Sequence, residues 1–216
     1  MKKYLLLSVF LVLECTDKKP ESSVQQENNS TATNSVQTDV KADSIDKRLN
    51  AWINYYKIQS PDFALEKFET SPVQKINYQE TNTKARFDEG FDKIYEPFLV
   101  YSPNQKKYID FDSYNWFIAT DGNLGFEADQ EVILVNLPEK TKHRIAFFGP
   151  SYRIEAAYWK NDDEAVLLGN GDEKLPFFIE YNFKNNESQY FQYTDTLQFK
   201  SDYRNLRLQE FGMKTN

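Results

Sequence analysis

The chain predicts a mainly β fold with flanking helices, laid out as two consecutive four-stranded antiparallel meanders. Three features carry that expectation. From residue 98 to 195, apolar runs and polar turns alternate in the manner of hairpins. The second half of that stretch repeats the layout of the first. The apolar content is led by 17 Phe and 14 Tyr against only 7 Gly, and large aromatic side chains suit twisted sheets packed face to face.

Each copy begins with one hairpin and closes with another. The first opens with Phe98–Tyr101, turns through Ser102-Pro103-Asn104-Gln105-Lys106, and returns from Lys107 to Asp112. The second opens with Ile154–Trp159, turns through Lys160-Asn161-Asp162-Asp163, and returns from Glu164 to Gly169. Aligning Tyr101 with Trp159 places Asn104 opposite Asp162 and Tyr108 opposite Val166. The closing hairpins run from Glu131 through Pro138-Glu139-Lys140-Thr141 to Phe148, and from Pro176 through Lys184-Asn185-Asn186-Glu187 to Tyr193. Asn136-Leu137 then matches Asn182-Phe183, and the first copy carries an insertion around 115–128 with a turn at Asp121-Gly122-Asn123.

Four strands followed by four strands is the period of propeller blades. Tyr101-Ser102-Pro103-Asn104-Gln105-Lys106-Lys107 resembles the opening hairpin of WD40-like β-propeller repeats, and Leu134-Val135-Asn136-Leu137 resembles the third strand of such a blade. The resemblance implies blade-like units. It does not imply a closed propeller, because a ring needs about four to eight blades and only two are present.

The N-terminus reads as an export signal. Lys2 and Lys3 precede the apolar run Tyr4–Leu13, which is shorter than the ~20 residues a membrane span requires. Leu11-Val12-Leu13-Glu14-Cys15 resembles the lipobox of bacterial lipoproteins, with Glu14 where that family has a small residue. The resemblance implies that residues 1–15 are a lipoprotein-type signal, that its Cys15 becomes the lipid-modified first residue, and that the chain resides in the bacterial cell envelope, anchored to the outer membrane. A single cysteine has no disulfide partner within the chain. Residues 16–43 are almost free of apolar side chains and are expected to form a disordered tether.

One folded domain is expected over 44–216. Ile45, Leu49, Trp52, Ile53 and Tyr56 fall at helical spacing, with Asp43 or Ser44 as cap. This amphipathic helix carries few basic residues, so it should pack on the sheets rather than lie on a membrane. Ser60-Pro61-Asp62 reads as a second helix start, followed by Phe63, Leu65 and Phe68. Residues 70–97 are mixed and polar, with 87–95 a loop or short helical turn leading into the first β unit at 98–149; the second unit occupies 150–195. Residues 196–216 form either a helix capped by Ser201 and stopped by Gly212 or a final strand through Leu206 and Leu208. The N-terminal helix and this C-terminal element are expected to cover the sheet edges, which would otherwise be open to pairing.

A net charge of −7 argues against nucleic acid as a partner, since phosphate binding calls for basic surface. His143 is the only histidine and sits in the expected turn 140–144 between cations, which suits solvation rather than general-base catalysis. One histidine and one cysteine do not make a zinc site, and no EF-hand pattern is present. No cofactor is implied. The carboxylates Asp110 and Asp112 should share one strand face with Tyr108 and Tyr114, and Glu127, Asp129 and Glu131 form a second acidic group. With Trp116 beside them, Asp110, Asp112, Asp129 and Glu131 are the candidate ligand contacts. The bland alternative makes them polar faces and turns of half-exposed sheets.

The expectation is therefore a membrane-anchored envelope lipoprotein with a non-catalytic binding or scaffolding role, its partner another envelope protein. Two alternatives stand beside it: a glycan-acting enzyme that uses paired carboxylates, and an immunity- or inhibitor-type protein whose acidic surface meets a basic effector.

Overall fold

The computed structural model describes residues 35–215, with side chains from residue 47 onward. The expected export signal, Cys15 and the expected tether up to residue 34 lie outside the described residues, as does the side chain of Ile45. Helix α1 spans Ser35–Gln59, so helical backbone begins well before the expected start at Ser44 and takes in the last part of the expected tether. No Gly or Pro interrupts 35–43, and extending an existing helix costs far less than nucleating one.

Strands β1 (Phe68–Thr70) and β2 (Gln74–Lys75) follow, then a 3-10 turn at Lys93–Phe98. The first meander comprises β3 (Val100–Tyr101) and β4 (Lys107–Asp110), an inserted hairpin of β5 (Trp116–Ile118) and β6 (Leu124–Phe126), then β7 (Gln130–Asn136) and β8 (Thr141–Phe148). The second comprises β9 (Tyr152–Trp159), β10 (Glu164–Gly171), β11 (Leu175–Asn182) and β12 (Glu187–Tyr193), and helix α2 closes the chain at Tyr203–Glu210. Strands β3-β4-β7-β8 form one sheet, here sheet B. Sheet A runs β1-β12-β11-β10-β9, with β2 also on β12. The architecture is mainly β with flanking helices, and none of its antiparallel sheets closes into a barrel or propeller.

The two copies match in detail. Asn136 and Asn182 each end a third strand and accept a hydrogen bond from the backbone three residues on, Glu139 N at 3.4 Å and Asn185 N at 2.9 Å. Lys140 and Asn186, four residues beyond those asparagines, both take positive φ, 50° and 58°. Leu137 N and Phe183 N each donate back to the first turn of their own copy, to Lys106 O and Asp163 O, both at 2.8 Å. The first turns touch, with Asn104 N donating to Asp162 Oδ1 at 2.8 Å. The match of Tyr101 with Trp159 holds for strand position and fails for facing. Trp159 lies in the core between the sheets and donates to Val100 O at 2.8 Å, whereas Tyr101 packs on the outer face of sheet B. The partner of Trp159 is Ala165, not Val166, because the second turn is shorter.

The inner faces of the two sheets meet in one core: Val100, Ile109 and Val132 from sheet B against Trp159, Leu167 and Phe177 from sheet A. The outer face of sheet A, with Tyr158, Val166 and Leu168, is covered by Trp52 and Tyr56 of α1 together with Phe63. Here the expected second helix is absent. Only a 3-10 turn forms at Leu65–Lys67, and Phe68 pairs with Tyr193 as the start of β1, because burying Phe63 and Phe68 against the sheet outweighs a local helical preference. Helices α1 and α2 do lie against edge strand β9, where Arg48 Nη1 donates to Ala157 O at 2.8 Å. The opposite edge, β12, is covered by β1 and β2 instead. The C-terminal element is a helix, and Gly212 follows its end with φ +81°.

One buried carboxylate ties α1 to sheet A. Glu155 of β9 accepts from Trp52 Nε1 at 2.8 Å, from Tyr56 Oη at 2.7 Å and from Ser201 Oγ, while Asn170 Nδ2 donates to Tyr56 Oη at 2.8 Å. Burial raises the Glu155 pKa above its ordinary 4.5, against the hydrogen bonds that oppose the shift. The folded chain therefore holds that proton more tightly than the unfolded chain, and this group's contribution to stability falls as pH rises from 4.5 through the folded value. Glu155→Gln keeps an acceptor for Trp52 and Tyr56 and removes the ionisation. The gap between variant and parent urea midpoints should widen in the variant's favour from about pH 4 to about pH 7.

Candidate functional site

A cleft of about 980 Å³ lies on the outer face of sheet B. Most of that face is closed by the segment 85–91, whose Ala85, Phe87 and Phe91 pack on Leu99, Tyr108 and Ile133. Beyond this cover the face opens between the 80–84 segment, the 90–95 segment and the base of the inserted hairpin.

A bulge builds the floor. Glu131 pairs with Phe147, but Ile133 pairs with Arg144, because the register shifts between Val132 and Ile133. Glu131 and Ile133 share a face, so Arg144 and Phe147 are brought to that same face although they stand three residues apart. Glu131 is 5% exposed, accepts from the Thr83 hydroxyl, and lies 3.7 Å from Arg144 Nη1. The Arg144 guanidinium sits 5.3 Å from the Phe147 ring centre, and Tyr114 meets Phe147 edge-on at 6.0 Å. Tyr114 and Phe147 are 40% and 47% exposed, so two ring surfaces face solvent at the cleft. Tyr95 donates to Trp116 O at 2.6 Å, and burial pushes its pKa up to about 12.

The structure separates the sequence-predicted contacts. Glu131 lines the cleft, as does Glu127. Asp110 does not: it is buried and accepts from Asp112 N and Ser113 N, each at 3.0 Å, and from the Ser113 hydroxyl. Burial raises its pKa, opposed by those Ser113 and Asp112 hydrogen bonds. Because β4 ends at Asp110, strand alternation stops there, and Asp112 and Tyr114 do not continue the face of Tyr108. Asp112 instead turns toward α2, where Arg207 donates to it twice, at 2.7 and 3.0 Å, and Trp116 Nε1 once, at 3.0 Å. Trp116 is 1% exposed and packed with Phe98 and Leu208, so it presents no surface to a ligand. Asp129 is half-buried outside the cleft lining, and its backbone carbonyl accepts from Asn115. Asp110, Asp112 and Glu131 are thus buried rather than spread over half-exposed sheet faces. His143 lies on β8 opposite Leu134, not in the turn, and is exposed with its ring 5.6 Å from Tyr78.

Sequence reasoning missed Thr83, Arg144 and Phe147. Simple alternation groups Arg144 with Ala146 and Phe148, and only the bulge rearranges them. Thr83 lies in a polar segment without periodicity. Among the described residues, no three His, Cys, Asp or Glu side chains are grouped to hold a metal ion, and no helix is long and apolar enough to cross a membrane. No protein-family model, curated protein or solved structure matches the chain.

The Asp112–Arg207 pair can be tested by stability. Asp112 is 2% exposed, so Arg207→Met leaves a buried carboxylate without its cation and should cost about 3–5 kcal/mol, read from urea unfolding at neutral pH.

Proposed function

We propose that this chain is a lipid-anchored protein of the bacterial cell envelope that binds its target without transforming it, and that the cleft on the outer face of sheet B is the binding surface. The observation that carries this reading is the cleft itself, where a carboxylate held by Thr83 and Arg144 lies beside the exposed rings of Tyr114 and Phe147. Aromatic faces next to fixed hydrogen-bonding groups suit a carbohydrate, whose apolar ring face stacks while its hydroxyls donate to carboxylates. Glycans are abundant in an envelope. The dispersal of the other carboxylates supports binding over hydrolysis, since Asp110 and Asp112 are already engaged in turns and an ion pair.

A glycan-acting enzyme is the second reading, favoured by one observation: Glu127 and Glu131 both line the cleft, and hydrolysis of a sugar bond needs two carboxylates. Incubation with N-acetylglucosamine oligomers separates the two. The binding reading expects retention of intact oligomers that drops at least about tenfold in Phe147→Ala, the range for loss of a well-buried aromatic contact. Release of shortened sugars that vanishes in Glu131→Gln would establish the enzyme instead.

The anchor rests on the N-terminal signal and Cys15. Cys15→Ala should move the protein from the membrane to the soluble fraction on cell fractionation; a variant that stays with the membrane as the parent does refutes lipid anchoring through this residue.

A further inference from the structure

The charge of the sheet B cleft is not balanced within the fold. Four carboxylates line it, Glu80, Asp92, Glu127 and Glu131, against two cations, Lys84 and Arg144. Arg144 is already engaged. Its Nη1 lies 3.7 Å from Glu131, and Nε and Nη2 both donate to Gln79 Oε1, the former at 3.0 Å. That pairing neutralises Glu131. Asp92 accepts a single backbone hydrogen bond, from Ile94 N at 3.0 Å, which leaves its charge in place. Glu80 and Glu127 are exposed, and their side chains meet no donor among the described residues. Three uncompensated carboxylates therefore face one lysine.

The two unpartnered glutamates stand on opposite walls, with the exposed rings between them. Glu127 N donates to Asn115 O at 2.8 Å, so Glu127 enters the cleft at the base of the inserted hairpin, across from the strand that Tyr114 precedes. Glu80 follows Gln79, which is joined to Arg144 of β8 by two backbone hydrogen bonds, at 3.0 and 2.9 Å. This places Glu80 on the wall beside the strand that carries Phe147. The contact of Tyr114 with Phe147 spans the interval. A ring face attracts a cation through its quadrupole, and a free carboxylate attracts one through its charge. Both attractions meet over the same floor.

We infer that the glycan bound in this cleft is one whose sugars carry free, protonated amino groups, which lie between Glu127 and Glu80 while the ring faces rest on Tyr114 and Phe147. The inference rests on the carbohydrate reading of the same cleft and adds the sign of the ligand's charge. An amino sugar offers a flat apolar face and an ammonium group within one unit, the spacing that rings and carboxylates side by side require.

Binding of a glucosamine tetramer and of its N-acetylated counterpart to the full chain, measured by calorimetry at about pH 6 where glutamates are ionised and amines protonated, tests the inference. An exposed ion pair multiplies affinity by at most about fivefold, and a cation against an exposed ring by a similar factor. The amine form should accordingly bind about tenfold tighter, with an advantage that shrinks as salt is added. Glu127→Gln should cost the amine form at least about threefold more than it costs the N-acetylated form. Glu139→Gln makes the same change of net charge at an exposed turn outside the cleft and should leave the advantage intact. Equal or tighter binding of the N-acetylated tetramer keeps the carbohydrate reading and overturns this inference; failure of both tetramers to bind overturns the two together. An advantage lost as fully in Glu139→Gln as in Glu127→Gln reduces the effect to net charge, and tetralysine bound as tightly as the amine tetramer assigns the cleft to basic peptides. Either result overturns the inference.

Discussion

Pressing the inner faces of the two meanders together is the constraint on which the rest of the molecule depends. Ile109 and Val132 on one side and Leu167 and Phe177 on the other are buried in one shared core. Each sheet then has one outer face, still apolar, that the rest of the chain must keep from water. Sheet A receives α1 and Phe63, anchored at Glu155. Sheet B receives the 85–91 segment, which is too short to reach its far end. The cleft is the uncovered remainder of that face.

The buried acids show how a chain of strongly acidic balance folds around its own charge. Asp110, Asp112 and Glu155 all lie at 3% exposure or less, yet each performs a different task. Asp110 closes a turn through backbone donors. Asp112 joins the first meander to α2 through Arg207. Glu155 accepts side-chain donors from both ends of the folded region. A buried carboxylate survives where its oxygens are met by donors, and the three environments meet that demand by three routes.

The readable part of the fold was the part written locally. Asn136 and Asn182, the turns that follow them, and the apolar stripe at Leu49, Trp52 and Tyr56 are short-range patterns with short-range causes, and the structure contains all of them. What escaped reading was set at a distance. The bulge that turns Arg144 toward Glu131 depends on how β8 registers with β7. The end of β4 at Asp110 is the local exception, a turn locked by that residue's own carboxylate that strand alternation conceals. The strand at Phe68 exists because β12 offers an edge. Of the five candidate contacts, Glu131 reached the cleft because it shares the outer face of β7 with Ile133, and nothing in the spacing of Asp110, Asp112, Asp129 and Trp116 could signal that their partners were Ser113, Arg207, Asn115 and, for Trp116, Asp112 itself.

The pairing of Phe68–Thr70 with Phe191–Tyr193 joins opposite ends of the folded chain. Contacts so far apart in sequence carry a large loop-closure cost and form slowly. A nascent chain leaving the ribosome therefore holds its β1 segment without a partner until β12 has emerged. A second copy whose own β1 has not yet docked offers that segment the same β12 edge, which makes exchange of this strand between copies a misassembly to which the topology is open.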